Sequence, residues 1–204
     1  MLKARIAVFV SGGGTNLQAL IDEEKSGIIQ SGQICLVVSN KAEAYALERA
    51  RQAGIPAVTL LRKDCGGQAG FEAALIALLA REKIDLIILA GFMSILSENF
   101  TSRFPERILN VHPSLIPSFC GKGFYGLHVH EAALAYGVKV TGATVHFVNE
   151  IPDGGRILLQ QAVSVLPGDT PETLQKRVME QAEWKLLPQA AELGSAEIVK
   201  GRAE

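Results

Sequence analysis

An amide and an imidazole stand two residues apart in the segment Asn110-Val111-His112-Pro113-Ser114, at the end of an apolar run. Residues two apart on a β-strand point to the same side, so we expect Asn110 and His112 to face one site. This pair suits a reaction that builds negative charge on a carbonyl oxygen, because the amide donates to the oxyanion and the imidazole donates or transfers a proton. The alternative is a structural histidine that is held by a backbone carbonyl.

A carboxylate that could serve this pair is Asp153, in the turn Pro152-Asp153-Gly154-Gly155. Aspartate is a common turn residue on its own account. As a functional residue it would orient His112 or favour the imidazolium form of that ring. The sequence by itself does not bring the two side chains together.

Three consecutive glycines lie in the segment Ser11–Asn16, between an apolar run and a helical stretch. Glycines let the backbone approach a ligand closely, and the free N–H groups at a helix start attract anions, so this segment predicts phosphate binding. It is not a dinucleotide fingerprint, because Leu17 stands where a third small residue is needed and no acidic residue follows the second apolar run. The alternative is a plain tight turn between a strand and a helix.

A metal site is the weaker interpretation of the histidines. His128 and His130 fall where a helix is expected to begin, and side chains two apart on a helix do not converge. His112 and His146 could add ligands, but no cysteine or acidic residue completes a recognisable set, so we expect no metal. The three cysteines are odd in number and widely separated, which excludes a disulfide scaffold. Cys120 is interpreted as a packing residue rather than a nucleophile.

The elements that must position these residues follow an alternating pattern. Apolar runs predict strands and amphipathic stretches predict helices. The expected strands cover 5–10, 34–38, 57–61, 85–90 and 108–111, and the expected helices between them cover 17–26, 43–53 and 71–83. This order implies an α/β, Rossmann-like, mostly parallel sheet with helices on both faces. Active sites of such sheets lie outside the carboxyl ends of the strands, where the polar segments would gather.

The last third of the chain departs from this alternation. A helix is expected over 126–136, and the segments 138–148 and 156–165 predict a β-hairpin with Asp153 at its tip. Thr170-Pro171 then opens a long final helix that is expected to reach about Leu193. The fold class is therefore completed by a C-terminal hairpin and a long helix.

Composition bounds the class of protein. The chain has 204 residues, with 20 Lys and Arg against 21 Asp and Glu, which gives a net charge of −1. A near-neutral chain has no general attraction for nucleic acid, and the most apolar stretch, Leu86–Ser97, is too short to span a membrane. We expect a cytoplasmic protein with one domain over 1–204, in which 1–100 forms the phosphate-binding half and 101–204 the catalytic half.

Several segments together resemble the phosphoribosylglycinamide formyltransferase family, which belongs to a superfamily that uses formyltetrahydrofolate. The matching segments occur in family order and are SGGGTNLQALID, VSNKAEAYALERARQAGIP, LAGFMSIL, LNVHPSLIPSF, GATVHFVNEIPDGG and EWKLLP. The resemblance implies that the amine of glycinamide ribonucleotide attacks the formyl carbon of 10-formyltetrahydrofolate in de novo purine synthesis. It implies two small-molecule substrates and no metal, nucleic acid or membrane partner, in a monomer or homodimer.

The resemblance also implies a role for particular residues. Its catalytic trio maps onto Asn110, His112 and Asp153. The phosphoribosyl group is expected to contact Gly14, Thr15, Asn16, Glu180, Gln181 and Glu183, where Glu180 is an alternative to Glu183 because the last helix carries one extra residue. The folate is expected to contact Gln68, Met93, Ser94, Ile95, Leu96, Asn110, Asn149, Glu150, Ile151 and Pro152.

Two features depart from the family pattern. Bacterial relatives often carry arginine at or near Ser94 and Gln68, so cations that could meet the glutamate tail of folate are absent there. The loop 120–126 is longer than in the simplest members, and Lys122 could supply some of that charge. A formyltetrahydrofolate deformylase, which tends to carry histidine where Pro113 stands, and a non-catalytic nucleotide-binding module remain as alternative functions.

Overall fold

The structure, a computed structural model, describes residues 2–202. Within this range, seven strands form one sheet in the order β3-β2-β1-β4-β5-β6-β7. The strands are β1 (Ala4–Val10), β2 (Gly32–Ser39), β3 (Ala57–Thr59), β4 (Leu86–Leu89), β5 (Ile108–His112), β6 (Val140–Phe147) and β7 (Ile157–Ser164). β1 to β5 are parallel, whereas β6 and β7 are antiparallel to their neighbours. The predicted α/β class with a C-terminal hairpin is confirmed.

Seven α-helices accompany the sheet in the described residues. They are α1 (Thr15–Ser26), α2 (Tyr45–Gln52), α3 (Gln68–Arg81), α4 (Glu98–Thr101), α5 (Leu127–Tyr136), α6 (Pro171–Val178) and α7 (Trp184–Lys200). A short 3₁₀ helix (Arg62–Cys65) precedes α3. None of the helices in residues 2–202 combines the length and the apolar character needed to cross a membrane.

The core lies on both faces of the sheet because β1 and β4 are buried on both sides. Ile6, Val8 and Val10 pack in one cluster with α1 and α7. Ala7 and Phe9, which point the other way, pack in a second cluster with α3. This alternation follows from the two-residue period of a strand, and it explains why the strands read as continuous apolar runs.

The predicted long final helix is confirmed, because α6, a π-helical segment and α7 follow one another from Pro171 to Lys200. The helix is interrupted by a π-helical segment, Met179–Glu183, and it continues to Lys200 rather than ending near Leu193. A π-helical segment accommodates one additional residue within a helix while both flanking segments keep their packed faces. The extra residue noted in this helix therefore appears as a local widening, with Glu183 at its end.

Candidate functional site

A cavity of ≈ 670 Å³ opens at the carboxyl ends of β1, β4 and β5. β1 has β2 on one side and β4 on the other, so the strand order reverses at this point of the sheet. Ligands of open α/β sheets bind at such a reversal. The residues that line the cavity are Thr15, Asn16, Gly91, Phe92, Met93, Ser94, Ile95, Asn110, Val111, His112, Pro113, Gly121, Lys122, Gly123, Phe124, Tyr125, Gly126, Pro152, Asp153, Gln175, Met179 and Glu183.

His112 lies at the end of β5 with an acceptor at each ring nitrogen. Its Nε2 donates to the carbonyl oxygen of Phe119 at 2.8 Å. Its Nδ1 lies 3.5 Å from Oδ2 of Asp153, so a carboxylate faces the second nitrogen. The carbonyl and the carboxylate together fix the orientation of the ring.

Asp153 is held in position by its own turn and by a neighbouring loop. Its backbone has φ of 56°, and its Oδ2 accepts the backbone N–H of Gly121 at 2.8 Å. Burial alone would raise the pKa of the Asp153 carboxyl, but His146, the charge of His112 and the Gly121 N–H together hold that pKa below its ordinary value. Asp153 is therefore a carboxylate over the neutral pH range.

The two glycines after Asp153 are required by close approach. A Cβ on Gly155 would lie 1.7 Å from the carbonyl oxygen of Phe147, and one on Gly154 would lie 2.6 Å from Cγ2 of Ile151. Real Cβ atoms do not come that close, so the hairpin can fold over the site only with glycine at both positions. The Asp-Gly-Gly sequence thus fixes where the carboxylate stands.

Asn110 faces His146 across the β5–β6 ladder, in which the two residues are paired. The Nδ1 of His146 donates to the carbonyl of Phe147 at 2.9 Å, and its Nε2 lies 3.6 Å from Oδ1 of Asp153. The Nδ2 of Asn110 lies 3.2 Å from the same Nε2. This contact orients the amide, and the second N–H on Nδ2 stays available to a ligand.

The glycine segment forms the turn between β1 and α1. Gly14 has φ of 74°, and a Cβ there would lie 2.6 Å from Cβ of Ala46, so both conformation and space require glycine. Gly12 and Gly13 face open space. Gly14 also precedes α1 without a side-chain cap, and the first N–H groups of a helix have no partner within it. These groups make the turn suitable for an anion.

The π-helical segment decides which acidic residue reaches the cavity. Glu183 is buried and accepts the side-chain N–H of Asn16 at 2.7 Å. Burial raises the pKa of Glu183, and the Asn16 contact opposes that shift only in part. Glu180 instead faces Lys176 at 3.8 Å on the exposed side, and Gln181 is exposed. Of these three expected contacts, only Glu183 lines the cavity.

A smaller cavity of ≈ 130 Å³ shares Ser94, Ile95, Asn110 and Asp153 with the larger one. Its other lining residues include Leu96 and the expected folate contacts Asn149, Glu150, Ile151 and Pro152. Met93 lines the larger cavity. Gln68 lines neither cavity, because its amide donates to Glu72 and to the carbonyl of Ile95.

Sequence reasoning missed several contributors to the site. The carbonyl of Phe119 and the N–H of Gly121 are backbone groups, and a residue type gives no signal for them. The sequence suggests His146 only as a metal ligand, whereas the pairing of β5 with β6 puts it opposite Asn110. Gln175 and Met179 also line the cavity, five residues and one residue before Glu180, and belong to no motif.

The remaining candidates have ordinary surroundings. His128 pairs with Glu131 at 2.8 Å, and His130 is buried in α5, where burial and the charge of His112 lower its pKa to about 4. Burial and the charge of Asp153 raise the pKa of the Cys120 thiol, which opposes a thiolate nucleophile. Within residues 2–202, no three side chains of His, Cys, Asp or Glu are arranged to hold a metal ion.

A known protein family covers most of the chain. A family model described as formyl transferase matches residues 4–191. The chain belongs to the formyl transferase family. The resemblance inferred from the sequence motifs is thereby confirmed, and the site described above lies within the matched residues.

Several named proteins of this family are similar to the chain. The chain is 45% identical to phosphoribosylglycinamide formyltransferase of Haemophilus influenzae, over 90% of this chain and 84% of that protein. It is 47% identical to the human trifunctional purine biosynthetic protein adenosine-3, over 94% of this chain but only 18% of that protein. Among solved structures, glycinamide ribonucleotide transformylase 1 of Symbiobacterium toebii matches with a TM-score of 0.89 and 43% identity, over 96% and 89% of the two chains.

Proposed function

We propose that the chain transfers the formyl group of 10-formyltetrahydrofolate to the amine of glycinamide ribonucleotide, a step of de novo purine synthesis. The observation that carries this proposal is that Asn110, His112 and Asp153 all line one cavity. In that cavity, Nδ1 of His112 lies 3.5 Å from Oδ2 of Asp153. The same cavity meets the anion-binding turn before α1 on one side and an apolar loop on the other. The Haemophilus influenzae relative named above, 84% of which is covered by this chain, bears the matching name.

The chemistry assigned to the trio follows from its contacts. The amine attacks the formyl carbon, and a tetrahedral intermediate forms whose oxygen carries negative charge. Asn110 offers one amide N–H, and such a preorganised donor stabilises an oxyanion, while the His112–Asp153 pair beside it handles the proton that the reaction moves. The carbon–N10 bond of the folate then breaks, N10 takes a proton and the amine loses one. Asp153 faces Nδ1 of His112 and keeps the ring oriented.

The binding of the two substrates is assigned to opposite ends of the site. The phosphate of the ribonucleotide would lie against the turn at Gly14, Thr15 and Asn16, where helix N–H groups are free. The carboxyl of Glu183, already fixed by Asn16, would accept a ribose hydroxyl. The pterin would enter the smaller cavity, beside the segment 149–152.

The test is an absorbance assay of formyl-folate consumption, with and without glycinamide ribonucleotide. Consumption that requires the ribonucleotide and yields its formylated product is the expected result. Equal consumption without the ribonucleotide would identify a deformylase instead. No consumption under either condition would refute both enzymatic functions and favour a binding-only protein.

A further inference from the structure

The loop Gly91–Ser97, which we call the folate-side loop, connects β4 to α4 without regular structure. It lines both cavities and exposes two large apolar side chains, since Met93 is 52% and Ile95 71% accessible. Exposed apolar side chains beside a cavity are typical of a surface that a ligand covers. A loop of this kind presents a defined surface only if other groups hold its backbone.

A buried carboxylate that takes no part in the trio holds one end of this loop. Glu72 lies in α3 and is 2% exposed. Its Oε1 accepts the backbone N–H of Ser97 at 2.7 Å, and its Oε2 accepts the hydroxyl of the same serine. Gln68 joins Glu72 to the loop, because its Nε2 donates to Oε1 of Glu72 at 2.5 Å and to the carbonyl of Ile95 at 3.1 Å.

These contacts keep the carboxylate charged although it is buried. Burial raises the pKa of Glu72, but the hydroxyl and N–H of Ser97 and the amide of Gln68 outweigh burial, so that the pKa lies below its ordinary value. Ser97 is also the residue that precedes α4, where a serine side chain commonly caps the helix. Here it makes no such cap and turns to Glu72 instead.

The other end of the folate-side loop is tied separately. Ser11 accepts the backbone N–H of Met93 at 2.8 Å and donates to Asn40 at 2.7 Å. The amide of Asn40 in turn donates to the hydroxyl of Ser94 at 2.7 Å. Ser94 and Gln68, which the sequence predicts as folate contacts, thus have polar groups already engaged in holding the loop.

We propose that Glu72 is a positioning residue of the formyl transfer reaction, which fixes the folate-side loop for 10-formyltetrahydrofolate without touching either substrate. This inference rests on the proposed function for the identity of the ligand. Removing the charge would leave the N–H of Ser97 and the amide of Gln68 competing for weaker acceptors. The loop would then sample other conformations, and the binding of folate would weaken while the trio stays intact.

The decisive variant is Glu72→Gln, which keeps the shape of the side chain but replaces one acceptor oxygen with a donor. We expect the Kd of a stable formyl-folate analogue, measured by calorimetry, and the KM for 10-formyltetrahydrofolate to rise about tenfold. The kcat and the KM for glycinamide ribonucleotide should stay within about twofold, because neither the trio nor the anion-binding turn is changed. The matched control is Glu98→Gln, the same change at an exposed residue next to the loop, which should alter nothing.

A second variant keeps the test decisive if Glu72→Gln fails to fold. Ser97→Ala removes only the hydroxyl, and we expect it to raise the same Kd about threefold. Folded variants that bind the analogue as tightly as the wild type would overturn the inference. A fall in kcat together with a rise in both KM values would overturn it as well. If the wild-type chain binds the analogue without transferring formyl, the proposed function fails while the Kd comparison still tests the role of Glu72. A wild-type chain that does not bind the analogue would refute both.

Discussion

Replacing Asp153 with asparagine tests the electrostatic role assigned to the trio. Asparagine keeps the size of the side chain and an oxygen that can accept the Gly121 N–H, but it removes the charge that faces His112. When His112 takes up a proton during the reaction, its Nδ1 and Oδ2 of Asp153 are two unit charges 3.5 Å apart, which interact with about 332/(ε × 3.5) kcal/mol. Effective dielectric constants between about 80 and 20 give about 1–5 kcal/mol.

The expected loss of rate follows from this range. Each 1.36 kcal/mol is about a factor of ten, so kcat for Asp153→Asn should fall about 10- to 3,000-fold. Both KM values should change little, because the charge is needed most when the oxyanion forms. The assay is steady-state formyl transfer with both substrates varied, and Asp22→Asn, the same change at an exposed residue of α1, is the control. An Asp153→Asn enzyme with unchanged kcat would refute the role of the carboxylate.

The same variant gives a test of the pKa of Asp153. This pKa is lower in the folded protein than the ordinary value of 3.8, so the carboxylate stabilises the fold at higher pH and loses that contribution as the pH falls through the folded value. The difference in the free energy of unfolding between wild type and Asp153→Asn should therefore shrink as the pH is lowered below about 4. Urea unfolding of both proteins at pH 6 and at pH 3 measures this difference in the free energy of unfolding. A difference that does not vary with pH would contradict a lowered pKa of Asp153.

Three further substitutions test the parts around the trio. Gly155→Ala should lower kcat more than about 100-fold and destabilise the fold by more than about 2 kcal/mol, because its Cβ would meet a carbonyl oxygen. Gly201→Ala, the control, should have neither effect. Activity assays and thermal melting measure the two effects, and a fully active Gly155→Ala would show that the turn can relax. Gly14→Ala should raise the KM for the ribonucleotide about tenfold or more and leave that for folate unchanged, and equal effects on both would argue against a phosphate site. Glu183→Gln should raise the same ribonucleotide KM about three- to tenfold while Glu180→Gln leaves it unchanged, and the reverse order would mean that Glu180 makes the contact.

The positions of most strands and helices along the chain could be predicted from local sequence patterns. The strand runs, the hairpin and the glycine turn before α1 appear in the structure near their expected positions, because buried parallel strands and tight turns have signatures within a few residues. The two-residue period of β5 also predicts that Asn110 and His112 face the same side. The final helix was harder, since a π-helical segment depends on how both of its flanks pack and not on a composition of its own.

The sequence by itself determined the fold class, the family and the residue types of the trio. Only the tertiary structure decided what surrounds them. The partners of His112 and Asn110 are the carbonyl of Phe119 and the ring of His146, and the latter lies 36 residues away from Asn110 along the chain. Local periodicity specifies which face a side chain occupies, but not which distant backbone group or side chain will stand opposite it. That choice follows from strand register, loop path and helix rotation, which the packing of the whole chain sets together.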